Sequence, residues 1–198
     1  MTTTIPRWEW RCFAPLTAPI LARAVPIPAD AAVHESDETY ILDLTAHGAK
    51  SVKIREGVLD IKRLLRTDSD ALELWEPMLK ARFPLNREEV AAIFEPGMPP
   101  AELTRESYTF EQFIADVIAP RPTLRLVEVH KSRRSFTFAG CLAEFVQVRA
   151  DGASLQSFAL EHEDPKRLLT ALRMLRFDPR DNTNYVLGLK RALGIECA

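Results

Sequence analysis

Four short segments, far apart in the chain, carry charged residues two positions apart: Arg7-Trp8-Glu9-Trp10-Arg11, Val52-Lys53-Ile54-Arg55, His130-Lys131-Ser132-Arg133 and Leu160-Glu161-His162-Glu163. In a strand, residues i and i+2 point to the same face. Each segment, as a strand, therefore sets its charges on one face and much of its apolar content on the other. A soluble barrel or sandwich normally encloses the apolar face. Strands of this kind in one sheet would bring cations and carboxylates together on one interior surface. Cations grip phosphate oxygens, arginine as a fork and lysine as a point charge, and carboxylates hold hard divalent metals. The chemistry suggested is that of a polyanion and a metal. The same alternation also describes the solvent faces of antiparallel strands, held by exposed cross-strand ion pairs.

The elements that must position these residues read as strands first and helices second. Strands are expected over 8–13, 38–44, 51–55 and 59–64, with Gly48 and Gly57 at turns and Glu56-Gly57 closing a hairpin. A proline-punctuated linker after the first strand surrounds a short helix at 20–24. Residues 72–79 predict a strand ending near Pro77. Asn86 caps a helix running through Phe94, with acidic residues in its first turn. Residues 109–118 form an amphipathic helix, with Phe110, Phe113, Ile114 and Ile118 at helical spacing. Strands over 124–131, 134–138, 142–149 and 154–161 make a meander with Asp151-Gly152 as a hairpin turn. Asp164-Pro165 opens a helix through Leu175, and a last helix covers 184–193. The class is α+β, and eight such strands can close into an antiparallel barrel.

Composition narrows the function classes. The 198 residues are expected to form a single domain over 1–198, 46% hydrophobic and 27% charged, as in an ordinary globular protein. A net charge of −2 argues against a strongly basic nucleic-acid binder, though it permits a local basic tunnel. No apolar run approaches the roughly 20 residues that span a bilayer, and the start lacks the features of a signal peptide, so no membrane partner and a cytoplasmic location are expected. Cys12, Cys141 and Cys197 lack metal-binding spacing; Cys12 and Cys141 read as buried strand residues. Trp8, Trp10 and Trp75 read as buried strand aromatics rather than a nucleobase platform. The four histidines are scattered, and no Gly-rich phosphate loop is present.

Taken in order, the charged motifs resemble the CYTH domain of the triphosphate tunnel metalloenzymes. The family's N-terminal Glu-x-Glu-x-Lys strand is matched by Arg7-Trp8-Glu9-Trp10-Arg11, its basic pair and further lysine by Lys53-Ile54-Arg55 and Lys62. Its central Lys-x-Arg strand is matched by Lys131-Ser132-Arg133, and its late Glu-x-Glu strand by Glu161-His162-Glu163 before Asp164-Pro165. The closing Asn184-Tyr185 is similar to the family's Ser-Tyr helix. The resemblance implies a closed eight-stranded antiparallel tunnel with flanking helices. Such a tunnel binds a linear triphosphate or polyphosphate with Mg²⁺ or Mn²⁺ and hydrolyses it, with inorganic triphosphate the expected substrate here. It further implies metal ligation by Glu9, Glu161, Glu163 and Glu144. Phosphate contacts would come from Arg11, Lys53, Arg55, Lys62, Lys131 and Arg133. Glu161, Glu163 and Lys62 are the catalytic candidates, with Glu161 or Glu163 orienting the attacking water. Glu73 is a further carboxylate match, and a homodimer is within the family's range. The chain departs from the pattern at Arg7, where the first glutamate should stand; Arg7 either adds a phosphate contact or marks weakened metal binding. A polyphosphate- or nucleotide-binding module without efficient catalysis, and a class IV-like adenylate cyclase, are the alternatives.

Overall fold

The computed structural model describes residues 5–16, 24–94 and 103–195. Its strands are β1 Arg7–Pro15, β2 Val33–Asp43, β3 Lys50–Arg55, β4 Val58–Thr67, β5 Glu73–Arg82, the short β6 Leu85–Asn86 and β7 Ser107–Tyr108, then β8 Leu124–Phe138, β9 Cys141–Ala150 and β10 Ala153–His162. Eight of them close into an antiparallel barrel in the order β1-β10-β9-β8-β2-β3-β4-β5, while β6 and β7 pair separately. The ring closes because β1 pairs with β10 along one edge and with β5 along the other. Four α-helical segments flank it among the described residues: α1 Arg87–Ala91, α2 Phe110–Gln112, α3 Pro165–Leu175 and α4 Tyr185–Ala192. This is the closed eight-stranded α+β barrel expected from the charge alternation and the resemblance.

The barrel hides its apolar residues mainly on the outside. Trp8, Trp10 and Cys12 of β1 are buried with Leu168, Ala171 and Leu172 of α3. Ile41, Val52, Ile54, Leu59 and Ile61 are buried beneath Tyr108, Phe113 and Val117. Because strand side chains alternate, burying these faces turns Glu9, Arg11, Lys53 and Lys62 inward. A third cluster fills one end of the interior: Tyr40, Leu42, Val127, Val129, Val146 and Val148 meet Tyr185, Val186 and Leu189 of α4. The last helix is thus a plug, and the charged part of the interior lies above it.

That plug sits against β1 with no room to spare. A Cβ on Gly188 would lie 2.2 Å from the Phe13 ring. Gly188→Ala is therefore expected to lower stability by about 2 kcal/mol, as overpacking of a tight core does; chemical denaturation would show it. A variant as stable as the parent would mean that the helix can shift without loss.

Several local expectations are corrected. β5 does not end near Pro77 but runs on to Arg82, because a bulge between Ile61 and Lys62 lets Pro77 pair opposite Lys62 without breaking the ladder. The two strands expected over 124–131 and 134–138 are one, since β8 pairs with β2 from Leu124 to Arg134 and with β9 from Val129 to Phe138, both partners flanking the expected break. For the same reason β2 begins at Val33 rather than Glu38. The helix opened by Asn86 has the expected Asn86 cap, completed by Glu89 as a capping box, but its α-helical part stops at Ala91. Lys50 Nζ then reaches the carbonyls of Ala92, Ile93 and Phe94 at 3.0–3.3 Å, ending it as a cation ends a helix. Residues 109–118 start as one α-helical turn and widen into a π-helix over Phe113–Ile118. The wider turn buries Phe113, Val117 and Ile118 and leaves Phe110 exposed. Glu56-Gly57 and Asp151-Gly152 both take positive φ, the requirement of the tight hairpins expected there. Cys12 and Cys141 are buried free thiols. The helix expected at 20–24 falls, apart from Ala24, outside the described residues, as does Cys197. No helix among the described residues is long and apolar enough to cross a membrane.

Candidate functional site

Above the plug the barrel encloses a cavity of about 240 Å³. Seven cationic side chains line it: Arg11 from β1, Lys53 and Arg55 from β3, Lys62 from β4, Lys80 from β5, and Lys131 and Arg133 from β8. Four carboxylates join them, Glu9, Asp60, Glu144 and Glu161. All six cations expected from the family pattern to contact phosphate, Arg7 apart, therefore converge on one space. Arg7 is exposed at the start of β1 and is not among the lining residues. Glu163 is exposed just past the end of β10 and does not line the cavity either.

The strongest ionic cluster lies on the β3-β2-β8 wall. Glu38 of β2 has a fully buried side chain and meets Lys131 Nζ at 2.7 Å, Lys53 Nζ at 3.4 Å, Arg133 at 3.4 Å and Arg55 at 3.6 Å. Burial alone would raise its carboxyl, but Lys131, Lys53 and Arg133 outweigh that and bring it down to about 2. Lys131 Nζ also donates to the Tyr40 hydroxyl at 2.9 Å and lies 3.9 Å from the centre of the Tyr185 ring. Burial lowers its ammonium to about 7 in spite of Glu38, since Glu38 is shared with three other cations and Lys53 repels it. Lys53 is lowered by burial as well. The wall thus holds cations that have lost water and gained only part of the counter-charge to replace it.

Carboxylates occupy the opposite side. In the sheet register Glu73 of β5, Glu9 of β1 and Glu161 of β10 stand side by side across three strands. Arg11 Nε donates to Glu9 at 2.8 Å, and Asn184 and Trp75 donate to Glu73 at 3.1 and 3.0 Å. Burial pushes Glu9 up, but Arg11, Lys62 and Lys53 together hold it below the usual range. Glu161 is raised by burial and then by the Glu9 charge, and Glu73 is raised by burial despite its hydrogen bonds. Glu144 is shared between Arg11 at 3.5 Å and Arg133 at 3.3 Å. The Arg133 Nε is nonetheless a buried donor without a hydrogen bond, a group that a ligand oxygen could satisfy.

The donor set fits a hard divalent ion in a limited way. Among the described residues no three Asp, Glu, His or Cys side chains converge as metal ligands. Mg²⁺, however, keeps several waters and takes one or two carboxylates together with phosphate oxygens. Glu9 and Glu161 offer that pair, and the raised Glu161 marks a place short of positive charge. Mg²⁺ or Mn²⁺ held there would offset charge on phosphate oxygens.

Comparisons with known proteins give the following. No protein-family model and no curated protein sequence matches the chain. Solved structures similar to it include a candidate adenylate cyclase from Bacillus halodurans at 11% identity, covering 90% of this chain and 94% of that one with a TM-score of 0.48. A conserved hypothetical protein from Pyrococcus furiosus is 14% identical, with coverages of 91% and 98% and a TM-score of 0.48. A candidate adenylyl cyclase from Hippeastrum with a dominant triphosphatase activity is 11% identical, with coverages of 96% and 88% and a TM-score of 0.43.

Sequence reasoning missed several residues that line this cavity or back its wall. Glu38 and Tyr40, and likewise Asp60 beside Lys62, obey the same two-residue spacing that singled out the basic strands, and applying it to every strand would have found them. Lys80 could not be found that way, because the bulge before it resets the alternation. Tyr185 and Asn184 come from the helical plug, where a strand rule has no purchase. Trp75 is both a buried aromatic, as expected, and part of the cavity lining.

Proposed function

We propose that the barrel binds a linear triphosphate or short polyphosphate and hydrolyses it with Mg²⁺ or Mn²⁺. The observation that carries this reading is the convergence of seven cations, drawn from five strands, on one cavity beside only four carboxylates. An enclosed excess of positive charge selects a compact polyanion, and arginine forks among lysines suit phosphate oxygens. A phosphoryl transfer asks little covalent help of a protein beyond orientation and charge stabilisation. Lys62 lines the cavity and its charge helps hold Glu9 ionised, so in this reading it serves both the carboxylate side and the phosphate chain. In this reading Glu161 orients the attacking water from the carboxylate side, and the β3 and β8 cations grip the phosphates.

The second reading, binding without efficient cleavage, is favoured by one observation: Glu9, the register partner of Glu161, is already committed to Arg11 at 2.8 Å. Phosphate release from inorganic triphosphate, ATP and short polyphosphate, each with Mg²⁺, Mn²⁺ or chelator, separates the two. Metal-dependent release is expected; tight binding with neither phosphate nor cyclic nucleotide produced would leave the binding module. Arg55→Ala should weaken triphosphate binding about tenfold under either reading. If its titration matches that of the parent protein, the barrel is not a phosphate site.

A further inference from the structure

We propose that Glu38 is a resident anion of the barrel, a positioning residue that holds the phosphate-gripping cations in place and weakens the grip they exert on an incoming chain. This rests on the reading of the cavity as a polyphosphate site. Glu38 is not among the residues lining the cavity, and its side chain is wholly buried where those of Glu9 and Glu144 are 13% and 28% exposed. It is therefore out of a ligand's reach and acts through its neighbours. Those neighbours are four of the seven cations that line the cavity.

The geometry is that of a bound oxyanion. Glu38 Oε1 faces Arg55 and Arg133, and Oε2 faces Lys53 and Lys131. A phosphate group with two oxygens in these positions would meet the same set. β2 lies between β3 and β8 and pairs with both, so cations from the two flanking strands lean over it from either side. Only the Lys131 contact, at 2.7 Å, is short; the other three stand at 3.4–3.6 Å, near enough to be held yet able to turn toward another acceptor. Four like charges crowded together, Lys131 among them almost wholly out of water, would otherwise repel one another and open the wall. One carboxylate against four cations keeps the wall together and still leaves it strongly positive. Its cost to function is competition: every phosphate bound must share cations with a charge that cannot leave.

Removing that charge while keeping the shape separates the two effects. Glu38→Gln is expected to bind inorganic triphosphate about tenfold more tightly at fixed salt, because a negative charge close behind the phosphates is gone. It should also lose affinity more steeply as salt is raised. Without ligand it should melt below the parent protein, and added triphosphate should close the gap. Glu38→Asp, which keeps the charge, should stay within a few-fold of the parent affinity. Equal or weaker binding by a folded Glu38→Gln variant overturns the proposal, as does a melting deficit that triphosphate leaves untouched. If Glu38→Gln fails to fold, combining it with Arg55→Gln removes one cation along with the carboxylate charge. A folded double variant with near-parental affinity supports the proposal, and one that still fails to fold assigns Glu38 a packing role and overturns it. Triphosphate binding by Glu38→Gln but not by the parent would support the resident anion and count against parental polyphosphate function. No binding by either protein would end both.

Discussion

Glu161→Gln is expected to reduce phosphate release from inorganic triphosphate by about a thousandfold while leaving triphosphate affinity within a few-fold of the parent. The side chain keeps its size and loses its charge. Glu161 stands directly across from Glu9 in the β1–β10 register, in a position where burial and the Glu9 charge already raise its carboxyl. Under the proposed function it is a lining carboxylate whose charge a metal would stabilise and the one proposed to orient water. The phosphate-gripping cations lie on other strands and keep their partners, so binding should survive. Steady-state release beside a calorimetric titration reads both quantities. Turnover above a tenth of the parental rate would take Glu161 out of the reaction. Glu163→Gln is the natural companion: exposed beyond the strand end, it should change turnover less than twofold, which decides between the two glutamates of the motif.

Lys131→Ala should weaken triphosphate binding about a hundredfold, the scale of removing one partner from a desolvated charge contact. Lys131 is the most deeply buried of the lining cations together with Arg11 and the only one held by Glu38 at short range. Its lowered ammonium also fixes a pH signature. Below about 7 Lys131 is charged in the free protein; as pH rises through that value the cation is lost, and with it part of the attraction for phosphate. Glu38, held low by its cations, and Arg11, held high by Glu9, keep their charge throughout. Affinity should therefore fall from about pH 6 to pH 9 once allowance is made for the ligand's own ionisation. Stability runs the other way: the unfolded lysine, near 10.5, binds its proton more readily than the folded one, so Lys131 contributes a stability that rises between about pH 7 and 10.5. Lys131→Arg, charged across the whole range, should flatten the affinity profile. A parental profile of the same shape as that of Lys131→Arg would locate the titration elsewhere.

The barrel was largely legible because one local rule served all its strands. Trp8 and Trp10 alternate with Glu9 and Arg11, and Val52 and Ile54 with Lys53 and Arg55; whichever face is buried by helices, the other must look inward. The amphipathic α3, capped by Asp164 and opened by Pro165, was equally readable from local chemistry. Where the reading failed, a non-local partner made the difference. β8 stays extended through Lys131-Ser132-Arg133-Arg134 because β2 and β9 take up its backbone groups in turn. β5 passes Pro77 because Met78 bulges out of its pairing with β4, and the helix after Asn86 is cut short where Lys50, from a different strand, takes its last carbonyls.

The sequence by itself determined that charged and apolar residues alternate along the strands, and so that cations and carboxylates would share a face. It also determined where the tight turns fall, since Glu56-Gly57 and Asp151-Gly152 carry the backbone freedom those hairpins need. Only the tertiary structure decided how those charges are paired. Strand order sets Glu38 between the cations of β3 and β8, register sets Glu73, Glu9 and Glu161 abreast, and the C-terminal plug brings Tyr185 under Lys131. The physical reason is range: side-chain alternation is settled between neighbours in the chain, whereas the field at a buried charge is settled by residues that the sequence keeps far apart and the closed barrel brings together.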